Sequence, residues 1–96
     1  MPAYVLFIRE SAIHNQSEMD IYRGMNREKP PDPKLTPLVV YGAIDVLEGT
    51  APDGLVMLQF PTVEDAKAWY NSPAYQAAIP HRIRAADYRA FIVQGR

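Results

Sequence analysis

Two periodicities alternate along this chain, and their order leaves few folds open. Ala3 to Glu10, Leu38 to Glu48, Leu55 to Phe60 and Tyr88 to Gln94 are β-branched and aromatic runs of strand length. Between the first and second runs, and between the third and fourth, apolar side chains recur three and four apart, the spacing of a helix with one buried face. Strand, helix, strand, strand, helix, strand is the order of the ferredoxin-like α+β sandwich, a four-stranded antiparallel sheet with two helices on one face. The second face of such a sheet is apolar too, and a second copy of the chain is its expected cover.

Cap and turn residues set the ends of these elements. Asn15 is placed to cap the first helix, with Glu18 three residues on to reciprocate, and Met19, Tyr22 and Met25 share one face. Four prolines between Pro30 and Pro37 end that helix and make residues 26–37 a stiff loop. In the second strand Gly42 is the expected bulge, and Gly49 to Gly54 turns the chain into the third strand as a hairpin. Thr62 caps the next helix, with Asp65 near the positive end of its dipole. Val63, Ala66, Trp69 and Tyr70 form its apolar face. Ser72-Pro73 restarts a helix, and Tyr75, Ala78, Ile79, Ile83 and Ala86 continue the buried face. Pro80 lies inside that run and is expected to kink or split it.

Composition removes several classes of function. The 96 residues allow one domain. Ten Lys and Arg against eleven Asp and Glu give a net charge of −1, with no basic footprint for nucleic acid. The charge is uneven: Leu35 to Ala66 holds no Lys or Arg, whereas Arg82, Arg84, Arg89 and Arg96 face a single acid, Asp87, in the last stretch. Pairing between elements or across a dimer accounts for that polarity. Without cysteine there is no disulfide, thiolate chemistry or Cys-ligated metal. Ala3 to Ile8, the longest near-continuous apolar run, is too short to span a bilayer, and no secretion signal is evident, so a cytoplasmic address is the expectation. His14 and His81 have no ligand spacing and the glycines form no phosphate loop, so no metal and no cofactor are expected.

Leu47-Glu48-Gly49, Phe60-Pro61, Ala66, Trp69-Tyr70, Ser72-Pro73-Ala74-Tyr75-Gln76 and Gly95, at these intervals, resemble the DUF1330 family. The likeness covers nearly the whole chain and is strongest from Gly42 onward. Where members often carry Gly-Gly-Arg ahead of the second strand, this chain has Lys34-Leu35-Thr36. The resemblance implies small domains of the dimeric α/β-barrel superfamily, hence the sandwich and a sheet-to-sheet homodimer. Relatives across that superfamily include isomerases, cofactor-free monooxygenases and haem enzymes.

Three polar residues are the candidates for catalysis. His81 is the candidate acid or base, imidazole being the side chain suited to proton transfer near neutral pH. Arg82 is the candidate to hold a carboxylate or enolate with two parallel N–H bonds. Glu48 is the candidate orienting group or general base if buried beside them. The plain alternative is a surface His81, an Arg82 paired with Glu48 or Asp45, and a Glu48 that only steadies the hairpin. Tyr41, Tyr75, Trp69 and Tyr88 supply a flat lining for an aromatic ligand, although such residues more often build core. The expected function is a cofactor-independent enzyme, of isomerase, lyase or monooxygenase type. It would act on a small hydrophobic or aromatic metabolite in the cleft between helices and sheet. The alternative is a dimeric module that binds a small ligand, or only assembles, without catalysis.

Overall fold

In the computed structural model, which describes residues 1–96, the first apolar run becomes β1 (Ala3–Arg9) and takes the middle of the sheet. α1 (Gln16–Glu28), β2 (Thr36–Val40), β3 (Gly54–Phe60), α2 (Val63–Tyr70), α3 (Pro73–Ala85) and β4 (Tyr88–Gln94) follow. β1 pairs antiparallel with β3 on one side and β4 on the other, and β2 edges β3, so the order is β2-β3-β1-β4. This is the ferredoxin-like α+β arrangement, and the second helical stretch is two helices rather than one.

The expected caps form. Asn15 Oδ1 accepts from the Glu18 backbone N–H, Thr62 Oγ1 from Asp65, and Ser72 Oγ from Tyr75. The register sets Val5 opposite both Leu58 and Ile92, so Ala3, Val5 and Phe7 face the helices together with Leu58 and Phe60. Met19, Ala66, Trp69, Tyr75 and Ala78 close the layer from above. The alternate strand residues Tyr4, Leu6, Ile8, Leu55, Met57, Phe91 and Val93 lie on the opposite face, which no helix covers. Only 14 of 96 residues are buried, as expected of a body with one face of its sheet left open.

Three local expectations change. The second strand, expected over Leu38 to Glu48, ends at Val40, and residues 41–53 form an exposed loop. The cause is the ladder: Val40 pairs with Val56, Tyr41 N–H reaches Leu55 O, and β3 begins at Gly54, so later residues overhang the sheet with no backbone partner. The register shift falls between Pro37 and Val39, not at Gly42, and the chain leaves the sheet at Tyr41, whose φ is 54°. α3 runs unbroken through Pro80. Both Pro80 and Gln76, whose carbonyl loses its partner, are exposed, so water can satisfy that group.

Candidate functional site

A cleft of about 980 Å³ opens between the helix-facing side of the sheet and the helices. Phe7, Val56 and Leu58 make its floor, Trp69 and Tyr75 one wall, and the proline loop at Pro30 and Pro31 its roof. That roof is fastened. Asp32 Oδ1 accepts from the Lys34 backbone N–H, and Lys34 Nζ reaches Asp65 on α2 at 2.9 Å. The two rings of the wall stack at 4.2 Å between centroids.

The capping of α3 decides what enters this space. Starting at Pro73, the helix turns Tyr75, Ala78, Arg82 and Ala85 toward the sheet, three or four residues apart. The buried face is therefore rotated from the expected one, and Ile83 is exposed. Ala78 and Ala85 are small, and between them the Arg82 side chain reaches inward and is 5% exposed. Its guanidinium carbon lies 5.1 Å from the ring centres of both Phe7 and Tyr88. Arg82 takes part in none of the ion pairs, and its Nε has no hydrogen-bond partner. A buried cation held this way is costly, because ring faces replace only part of its lost hydration.

Lys29, at the end of α1, presents a second cation. Its Nζ stands 4.8 Å from the Tyr75 ring centre and 5.2 Å from that of Trp69, with no hydrogen-bond partner. Burial draws its pKa below the ordinary lysine value, with Asp32 pulling the other way. Arg23 and Arg27 also line the cleft, so four cations meet one acid, Asp32, in a chain whose net charge is −1. Two tyrosine pairs add donors. The hydroxyls of Tyr22 and Tyr75 are 2.7 Å apart, and those of Tyr41 and Tyr88 2.6 Å. Burial raises the pKa of Tyr22, Tyr75 and Tyr88, keeping these hydroxyls protonated, and each pair retains one O–H to donate outward. Tyr41 reaches Tyr88 by crossing Gly54, where an added Cβ would stand 2.7 Å from the Tyr41 ring.

Five of the residues singled out from sequence line this cleft: Arg82, Tyr41, Tyr75, Trp69 and Tyr88. His81 and Glu48 do not. His81 is Arg82's neighbour on α3 and points about 100° away around the axis, where its Nδ1 meets Glu18 Oε2 of α1 at 2.5 Å. Glu48 and Asp45 are exposed in the loop beyond β2, so neither pairs with Arg82. The expected trio of His81, Arg82 and Glu48 is not assembled. Lys29, Tyr22 and the proline roof were not anticipated. Tyr22 was visible on the apolar face of α1, but nothing local marks Lys29 as turning inward. No helix is long and apolar enough to cross a membrane, and no group of three His, Asp or Glu side chains that could hold a metal is formed.

Together these features define a ferredoxin-like α+β domain with a cation-rich aromatic cleft. The chain belongs to the DUF1330 family, a domain of unknown function whose model matches residues 2–96. Solved structures share the fold. A protein of unknown function from Rhodopseudomonas palustris is 17% identical, with a TM-score of 0.64 over 98% of this chain and 82% of that one. A protein of the EthD (ethyl tert-butyl ether D) family from Bacillus halodurans is 10% identical, with a TM-score of 0.65 over the full length of both chains. A dimeric protein of unknown function with a ferredoxin-like fold, from Bacteroides fragilis, is 8% identical, with a TM-score of 0.56 over 98% of this chain and 96% of that one. No curated protein matches the chain.

Proposed function

We propose that the cleft binds a small organic acid with an aromatic or apolar body, its carboxylate on Arg82 and its body against Tyr75, Trp69 and Phe7. The observation that carries this is the buried Arg82 guanidinium among ring faces, in no ion pair and with its Nε unpartnered, in a cleft where cations outnumber acids. An incoming carboxylate supplies what the guanidinium lacks, and the spare tyrosine hydroxyls reach its second oxygen or a developing oxyanion. The site needs no cofactor for this. Any catalysis draws on Arg82, the tyrosines and Lys29, because His81 and Glu48 stand elsewhere. Two copies meet through the open sheet face. The apolar side chains on that face support this pairing, and so does the dimeric neighbour from Bacteroides fragilis.

The test is a thermal-shift panel of aromatic carboxylates beside their neutral alcohols, on the protein and on Arg82→Met. At a hundredfold excess over Kd an acid stabilises the protein by ~2.7 kcal/mol. Met fills similar space without a charge, so the unliganded variant is at least as stable as the parent. It binds the acids ~10- to 100-fold more weakly, the loss of one charge-assisted contact. Equal shifts from acids and alcohols, unchanged in Arg82→Met, would remove Arg82 as the anchor.

A further inference from the structure

The role given to Arg82 leaves Lys29 unexplained. Lysines that serve as charges stand in water or against a carboxylate, as Lys34 does against Asp65. Lys29 does neither. Its Nζ rests on the faces of Tyr75 and Trp69 without a hydrogen bond or ion pair. The charged and titratable groups sharing its cleft are Tyr22, Arg23 and Arg27 of α1, Asp32 of the roof, Tyr75 and Arg82 of α3, and Tyr41 and Tyr88 beyond them. Asp32, the one acid among them, already accepts from the Lys34 backbone. Burial pushes the amine toward its neutral form, against the pull of Asp32. A neutral lysine amine is a nucleophile.

We propose that Lys29 condenses with the carbonyl carbon of an aromatic or apolar aldehyde or keto acid whose carboxylate rests on Arg82. The proposal builds on the reading of Arg82 given above and extends it to the substrate class. The Nζ lone pair forms the C–N bond while the carbonyl π pair moves to oxygen, which takes up a proton as the nitrogen, now cationic, gives one up. The resulting carbinolamine loses that oxygen as water and becomes an imine. One water leaves, and no oxidant or reductant is consumed. The Tyr22–Tyr75 pair, on whose ring the amine sits, offers that oxygen a hydroxyl hydrogen bond on that side. A protonated imine accepts the electron pair of a breaking bond at the neighbouring carbon, so the cleft gains lyase or isomerase chemistry without a cofactor.

Reductive trapping reads this directly. The protein is incubated at neutral pH with para-carboxybenzaldehyde and cyanoborohydride, and adducts are mapped by peptide mass. The chain has three lysines, Lys29, Lys34 and Lys67, besides its terminal amine. Lys29 is expected to label severalfold faster than exposed Lys67, because burial leaves more of its amine neutral. That advantage shrinks with benzaldehyde, which lacks the carboxylate. Lys29→Arg keeps the charge and its melting temperature but gives no adduct in that peptide. Labelling of Lys29 no faster than Lys67 overturns the proposal; if benzoate still stabilises the protein through Arg82, the anion site survives that failure. Fast Lys29 labelling that is equal with both aldehydes, and equal in Arg82→Met, overturns the carboxylate anchor and the stated substrate class together.

Discussion

Burial holds Tyr22, Tyr75 and Tyr88 against ionisation, and that ties stability to pH on the alkaline side. Each folded-state pKa lies above the ordinary tyrosine value of 10.0. The folded chain therefore keeps protons that the unfolded chain releases. This contribution is complete below pH 10.0 and is lost as the pH rises further. Lys29 acts in the opposite sense, since its lowered pKa adds stability as the pH climbs toward 10.5, where that gain ends. Tyr22, Tyr75 and Tyr88 should therefore ionise only as the fold opens. A tyrosinate absorbance titration run beside Trp69 fluorescence checks this. One smooth wave with the Trp69 signal unmoved would contradict it. At this scale the sequence named five cleft residues by their chemistry: an arginine and four aromatics. It erred on His81 and Glu48 as partners of Arg82. Adjacent helix positions diverge by about 100°, and the phase of α3 depended on which of Ile83 and Arg82 packing would bury. Lys29 was illegible because an inward turn after a helix end is a tertiary event.

Elements show the same division. Strand identity and caps are local chemistry, and β1, β3, β4 and all three caps stand where Asn15, Thr62, Ser72 and the β-branched runs put them. Where β2 stops is not local. Ile44, Val46 and Leu47 have strand chemistry, but a strand needs a backbone neighbour and the chain offers none past Leu55. Pro80 is a second case, because packing on both sides of it overrides its tendency to break α3. Ala78 and Arg82 are buried two residues before and after it, and they hold the helix on course. The missing Gln76–Pro80 hydrogen bond still costs stability. Pro80→Ala restores it and should raise unfolding stability by about 1–3 kcal/mol, less what the freer unfolded chain takes back. Chemical denaturation with an unchanged m value is the check. A variant no more stable than the parent would mean that solvent already satisfies the Gln76 carbonyl in full.

For the whole molecule, one layer of helices serves a sheet that is apolar on both faces. The body measures 33 × 31 × 17 Å, so the open face is nearly as broad as the molecule and its core only two layers deep. A stable pair buries about 800 Å² on each partner, within reach of a surface of these dimensions. Leu6 and Met57 stand at the middle of that face, flanked on β4 by Phe91 and Val93, which are 39% and 45% exposed. The overhanging apolar residues Ile44, Val46 and Leu47 add to the surface that water meets. Phe91→Asp places a charge on the proposed contact without touching the core, since Phe91 is no part of the buried cluster. Dimer affinity should fall by 2 kcal/mol or more, about thirtyfold, the loss typical of a central aromatic anchor. Ile83→Asp is the control, because Ile83 is equally apolar and 61% exposed but lies on the helix side. Sedimentation equilibrium should give a dimer for the parent and for Ile83→Asp, and a monomer with unchanged circular dichroism for Phe91→Asp. A parent that sediments as a monomer at tens of micromolar would end the barrel. The cleft is built within one chain and would stand without it.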